Sequence, residues 1–254
     1  MPTLPWKERR VAESFGVDAQ RYDRTRPPYP DALIARLAAP HVLDVGCGTG
    51  IAARQLQAVG CRVLGVEPDE RMAGVARATG VEVEVATFED WASKGRVFDA
   101  VVAAQAWHWV DPVVGAAKAA GVLRPGGWLA VFWHVSQLPE QVADAFAVAY
   151  ERAVPGTSFD FRAAVAGYQA MFDLAADGIR RAGAFAEPEE WRHDWSQTYT
   201  RDAWLDLMPT QGGLTRLPAD ALAEVLDGVG RAIDAQGGTI TVPYVTVAVT
   251  SVRQ

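Results

Sequence analysis

The residues with the clearest chemical use sit in one short run, Leu43-Asp44-Val45-Gly46-Cys47-Gly48-Thr49-Gly50. Glycines at alternate positions let the main chain turn tightly and let a ligand approach without meeting a Cβ. The dinucleotide fingerprint G-x-G-x-x-G would place its third glycine where Ile51 stands; this run reads G-x-G-x-G instead. The carboxylate of Asp44, just before the loop, is a poor neighbour for a pyrophosphate and a good one for an ammonium group. A second carboxylate, Glu67 in Val66-Glu67-Pro68-Asp69, follows roughly 20 residues after the turn, where such a group takes a pair of ribose hydroxyls. A third feature is Leu123-Arg124-Pro125-Gly126-Gly127, whose proline and paired glycines predict a sharp turn into a strand. Between them lies Ala103-Ala104-Gln105-Ala106-Trp107-His108-Trp109, where aromatic rings could line an apolar pocket and His108 is the candidate general base. His134 is a weaker rival for that role, and His41 and His193 read as bystanders.

These groups need a scaffold, and the chain predicts one. Short apolar strands at His41–Val45, Arg62–Val66, Val81–Val85, Asp99–Ala103 and Trp128–Trp133 alternate with helices at Ile51–Val59 and Arg71–Thr79. That rhythm gives βαβ units, a parallel sheet and helices on both faces. Ahead of it, Lys7 to Tyr22 and Asp31 to Ala39 read as helical, separated by the proline run Arg26-Pro27-Pro28-Tyr29-Pro30. After residue 135 the pattern changes: helices at Gln141–Arg152, Phe161–Arg181 and Ala219–Gln236, and strands at Trp191–Thr200 and Val242–Val252. The division expected is one domain: a helical cap over 1–40, a cofactor-binding core over 41–135, lid helices and substrate region over 136–240, and a last strand over 241–254.

The bulk composition narrows the class. The chain has 254 residues, 50% hydrophobic and 22% charged, with a net charge of −7. This suits a globular protein with a filled core and argues against nucleic acid as a partner. No apolar run reaches the roughly 18 residues of a membrane span, and the first residues hold no apolar segment of signal-peptide kind, so the cytoplasm is the expected location. Cys47 and Cys61 fit neither a zinc pattern nor a disulfide framework, and no metal is expected.

With the glycine loop, Glu67 and the Leu123–Gly127 turn together, the chain resembles the class I S-adenosylmethionine-dependent methyltransferases, in the methyltransferase type 11 and trans-aconitate-type branch. The resemblance implies an α/β fold: a doubly wound, mostly parallel seven-stranded sheet with a final antiparallel hairpin and an inserted helical lid. It implies S-adenosyl-L-methionine as cofactor, with Asp44, Gly46, Cys47, Gly48 and Gly50 around the methionine part and Glu67 and Pro68 at the ribose. Met72 matches a position that packs on the adenine. Thr87-Phe88 stands where relatives often have an acid followed by a small residue at the adenine edge. Ala103 and Gln105 fall at the position facing both cofactor and acceptor. The element Tyr22-Asp23-Arg24-Thr25-Arg26-Pro27-Pro28-Tyr29-Pro30 is similar to one that closes over the cofactor in this branch, which puts Tyr22 and Arg26 at its carboxylate end or at the substrate. Phe159, Phe161, Tyr168 and Phe172 are candidates for the acceptor wall, and Trp191, Trp195 and Trp204 for the lid. The implied activity is methyl transfer to a small molecule, with an oxygen of a carboxylate or natural product leading. Carbon of a quinone precursor, or a non-catalytic cofactor-binding module, are the alternatives.

Overall fold

Five strands run parallel because each is returned to the sheet by a helical or loop crossover. They are β1 (His41–Val45), β2 (Arg62–Glu67), β3 (Glu82–Val85), β4 (Phe98–Ala104) and β5 (Leu123–Ser136). The helices returning them include α3 (Ile51–Ala58), α4 (Glu70–Ala78) and α5 (Pro112–Val122). Two further strands, β6 (Glu189–Thr200) and β7 (Thr239–Val252), add an antiparallel hairpin, giving one seven-stranded sheet of order β3-β2-β1-β4-β5-β7-β6. The computed structural model describes residues 13–156 and 161–254. The predicted helix from Lys7 therefore has its first residues, and the predicted acceptor-wall residue Phe159 its place, outside the described residues.

Strand alternation sorts the core into two layers. Leu43, Val45, Val101, Ala103, Leu129, Val131 and Trp133 pack on one face; Val42, Ala100, Val102, Ala130 and Phe132 pack on the other. Helix starts are fixed by side-chain caps: Asp69 accepts from the Arg71 amide to open α4, and Asp111, ahead of Pro112, accepts from the Val113 and Val114 amides to open α5. The Pro125-Gly126-Gly127 turn is absorbed within β5. Gly126 takes φ +78°, and its amide and the Gly127 carbonyl both bond to the Arg253 main chain, while the pairing with β4 jumps from Phe98–Leu123 to Ala100–Trp128, leaving residues 124–127 opposite Asp99 alone. The strand predicted at Trp128 thus begins earlier, with a bulge.

Strands β5, β6 and β7 run on beyond the parallel sheet, and their ends carry a third cluster. Tyr199, Ile240, Val242 and Tyr244 pack there against α6 (Glu140–Ala153), α8 (Arg201–Leu207) and α9 (Ala219–Asp234). A longer helix, α7 (Phe161–Ala182), lies against α5, and Gly178 allows the approach: a Cβ there would meet the Pro112 carbonyl oxygen at 2.5 Å. At the N-terminal side, a 3-10 turn (Glu13–Asp18), α1 (Ala19–Thr25) and α2 (Asp31–Leu37) cap the open end. No helix of the described residues is long and apolar enough to cross a membrane.

Candidate active site

At the carboxyl ends of β1, β2 and β4 a cavity of about 480 Å³ opens. Its floor is the glycine loop. The Gly46 and Cys47 amides donate to the Val66 carbonyl (2.8 and 3.2 Å), which ties the end of β1 to the end of β2. Gly46 takes φ +64°, and a Cβ there would lie 2.5 Å from that of Ala106. Only glycine gives both the turn and the clearance.

Glu67 is held by main-chain donors: the Gly48 amide to Oε2 (2.9 Å) and the Asp69 amide to Oε1 (3.0 Å). It is 8% exposed and lines the cavity. Burial pushes its carboxyl up to about 7, against the pull of the two amides. Asp44 lies deeper, fully buried, and neither carboxylate oxygen has a hydrogen-bond partner. Burial first, and then the neighbouring Glu67, raise it to about 8. Two carboxyls are thus buried near each other, one of them without any hydrogen-bond donor.

The predicted site residues mostly converge. Tyr22, Arg26, Gly46, Cys47, Gly48, Glu67, Pro68, Met72, Thr87, Phe88, Gln105 and His108 all line the cavity. Asp44 and Gly50 stand behind the loop: Gly50, at φ +86°, precedes α3 and packs near Val81 and Ala76. Ala103 faces the core layer of Val101, and it is Ala104 and Gln105 that reach the cavity. Gln105 does so from a left-handed backbone (φ +57°), anchored by its amide on the Phe132 carbonyl. Met72 packs with Ala19 and Val75 while also touching the cavity. The Thr87 hydroxyl is engaged, donating to Asp90 (2.8 Å) and accepting from the Asp90 amide.

The far end is aromatic. Tyr29, His134, Tyr168 and Tyr244 line it with Ser136 and Leu207. His134 stacks on Tyr29 (4.4 Å between centroids) and meets Thr246 through Nδ1 (2.8 Å); burial pushes its ring down to about 3. Arg26 reaches in over the Tyr22 ring and donates through Nη2 to the Thr210 carbonyl, leaving Nε buried without a partner. Of the predicted aromatic pair around His108, Trp109 lines the cavity and Trp107 turns into the core. Phe172 is likewise core, against Trp133. Trp195 stacks on Tyr244 (4.4 Å) and Trp204 is buried behind Tyr199; both support the wall rather than forming it. Trp191 carries the Arg36 guanidinium over its ring on the edge strand. His41 pairs with Asp99, away from the cavity. Tyr244, Ser136 and the 211–213 loop were not signalled by any motif; only the alternation of β7 hinted that Tyr244 would share a face with Val242.

Comparison with known proteins agrees with this geometry. Residues 43–131 match the family described as methyltransferase domain. An uncharacterized methyltransferase of Mycobacterium tuberculosis is 30% identical over 251 residues, covering 95% of this chain and 96% of that protein. A ubiquinone biosynthesis O-methyltransferase of Rhizobium etli is 29% identical over 197 residues, covering 72% and 74%. Among solved structures, a type II methyltransferase of Anaeromyxobacter dehalogenans superposes with a TM-score of 0.64 at 26% identity, covering 89% of this chain and 97% of that one. From the length and continuity of these matches, the chain belongs to the class I S-adenosylmethionine-dependent methyltransferases.

Proposed function

We propose that the protein moves the methyl group of S-adenosylmethionine to an oxygen of a small organic molecule bound at the aromatic end of the cavity. The observation that carries the reading is the polarity of the cavity: the Glu67 carboxylate at the glycine loop, with buried Asp44 behind it, and aromatic rings at the other end. The residues fit the cofactor. Asp44, with two partnerless oxygens, suits its ammonium-bearing methionine end beside Gly46, Cys47 and Gly48. Glu67 suits the ribose hydroxyls, with Pro68, Met72, Thr87 and Phe88 toward the adenine. Tyr22 and Arg26 suit the cofactor carboxylate, since the Arg26 guanidinium is cationic and its Nε has no partner. The cofactor supplies an activated methyl on sulfonium. What the chain supplies is alignment and exclusion of water. The lid helices α6, α8 and α9 and the tyrosine wall do the second. That one relative is named an O-methyltransferase supports oxygen as the accepting atom.

Calorimetry with S-adenosylhomocysteine tests the first half; no binding at millimolar ligand would remove it. Mass spectrometry of products after incubating methyl-labelled cofactor with small carboxylic acids and phenols tests the second. A labelled methyl ester or ether is expected. Label found only on carbon or nitrogen would overturn the oxygen assignment.

A further inference from the structure

One residue of the cavity wall keeps a side chain where the main chain asks for glycine. Among the described residues eleven glycines take positive φ, and only Lys94 and Gln105 do so with a side chain. Lys94 stands on an exposed turn, where its ammonium pairs with Glu84 (3.3 Å). Gln105, at φ +57°, lines the cavity. The left-handed conformation is strained for any residue with a Cβ and unstrained for glycine. Its use to the fold is clear: the Gln105 amide donates to the Phe132 carbonyl (2.8 Å), one step past the end of β4. Glycine would make the same turn and the same bond. What the strain retains is the side chain.

The side-chain amide is oriented by its neighbour. Nε2 reaches the His134 carbonyl oxygen at 3.5 Å, a long contact. A carbonyl only accepts, so the amide nitrogen faces it; the flipped amide would set oxygen against oxygen. Oε1 is the end left over: it is not buried and has no hydrogen-bond partner among the described residues. It stands where the two ends of the cavity meet. A Cβ on Gly46 would lie 2.5 Å from that of Ala106, so the residue after Gln105 abuts the glycine loop. His134, whose carbonyl holds Nε2, belongs to the aromatic end. Two neighbours with lone pairs are less available. Glu67 takes the Gly48 and Asp69 amides, and the partnerless Nε2 of His134 is itself buried, in a ring stacked on Tyr29.

We propose that Gln105 is a specificity-determining residue, whose Oε1 accepts a hydrogen bond from a hydroxyl or amino hydrogen of the molecule to be methylated. This rests on the reading of the cavity as a methyl-transfer site. The amide oxygen has lone pairs and no hydrogen, so it favours a ligand that brings a donor. A ligand without one leaves that oxygen desolvated and unpaired, which is the costlier outcome. The substrate class is then a small molecule with an O–H or N–H at the junction of the two cavity ends. An amide neither takes up nor releases a proton near neutrality, so Gln105 has no part in the bond changes. It selects and orients.

Gln105→Gly separates this role from a structural one, because a side chain kept for the fold would cost stability when removed. Thermal melts of the free protein come first. Relief of the left-handed strain offsets the lost side chain, so the melting temperature should stay within about 2–4 °C of wild type. A larger fall would make Gln105 structural and overturn the proposal. Phenol and methoxybenzene, which differ in the donor hydrogen, then serve as probes. Their binding is followed through the indole resonance of Trp109, which lines the same cavity, in proton–nitrogen spectra with and without S-adenosylhomocysteine. The preference for phenol over methoxybenzene should be about threefold to tenfold greater in wild type than in Gln105→Gly. Comparing the two proteins cancels the difference in size between the probes. An equal or greater preference in the variant, or no binding of phenol to wild type, overturns the proposal. S-adenosylhomocysteine affinity should stay within about threefold in Gln105→Gly by calorimetry; a larger loss assigns Gln105 to the cofactor and overturns the proposal. If S-adenosylhomocysteine does not bind the wild type, the methyl-transfer reading falls, while the melts and the cofactor-free titrations still decide the role of Gln105.

Discussion

The two ends of the cavity are built on opposite plans. At the proposed cofactor end the floor comes from two short runs, residues 45–49 and 66–69, tied to each other by the Gly46 and Cys47 amides on the Val66 carbonyl and by Glu67 on the Gly48 amide. At the proposed acceptor end the wall is single side chains from the cap, β5, α7, β7 and the loop after α8: Tyr29, His134, Tyr168, Tyr244, Gln211. A main-chain frame sets the first end and scattered side chains set the second. A ligand held by main chain imposes glycines and spacing, which stay together in sequence. A ligand held by side chains from separate elements imposes only size and polarity, which scatter along it.

The largest effect should come from removing the carboxylate that joins the two runs. Glu67→Ala leaves the Gly48 and Asp69 amides without their acceptor and takes away the carboxylate proposed for the ribose hydroxyls. Hydrogen bonds to a charged group are worth about 1.5–3 kcal/mol each, so S-adenosylhomocysteine affinity should fall by about a hundredfold or more by calorimetry. Tyr244→Phe, at the other end, should leave that affinity within about threefold. Comparable losses in the two variants would mean that the ends are not separable.

Asp44→Asn should split stability from binding. Asp44 is raised to about 8 by burial and by Glu67. Its folded value lies above the unfolded one, so its contribution to stability is fully present below about pH 4 and is lost as pH rises through about 8. The free wild-type protein should therefore melt at progressively lower temperature across that window, and the asparagine variant should show a flatter profile with a higher melting temperature near pH 8. Cofactor-analogue affinity should move the other way, falling about tenfold as the ammonium loses its carboxylate. A variant that is neither more stable at high pH nor weaker in binding would show that Asp44 is satisfied by a partner within the fold.

A smaller effect separates the histidines from the carboxyls. With His108 pushed down to about 4 and His134 to about 3, neither changes charge near neutrality. Any limb in the turnover number between pH 6 and 8 should therefore follow Glu67 and Asp44 and be the same in the wild type and in His108→Gln. A limb that His108→Gln removes would restore a histidine base and blur the distinction between the two ends.

The same contrast explains what could be read from the sequence. β1 was legible to the residue at His41–Val45, and α3 at its start, because the glycine run ends the one and opens the other. The floor of the cavity followed. Helix α5 left little trace: Gly115, Ala116, Ala119 and Ala120 are all buried, and small apolar residues on nearly every side give no amphipathic stripe. Trp107 and Trp109 look alike in sequence, yet a 3-10 turn sends the first into the core and leaves the second in the wall. The Trp133–His108 contact joins residues from two strands' ends and has no local signature at all.

Between the two ends runs a clasp, and it should give the smallest effect. Arg21 and Arg24 of α1 both reach Asp206 of α8, at 3.0 and 2.9 Å, and Ser14 meets Thr215 at 2.7 Å. These contacts close the cap over the cavity from the cofactor side onto the acceptor side. They are partly exposed, so each is worth about 0.2–1 kcal/mol and is weakened by salt. Asp206→Asn should leave the melting temperature within a few degrees, about 2–4 °C for a chain of this size. If the clasp gates the cavity, release of S-adenosylhomocysteine followed by stopped flow should quicken by about two- to fivefold, and raised salt should quicken the wild type toward the variant while leaving the variant unmoved. Because the pairs bridge cap and lid without touching either ligand site, a change in release with an unchanged acceptor-end spectrum would assign them to closure alone. A release rate that ignores both the substitution and salt would show that the two ends communicate through the aromatic wall and not through the clasp.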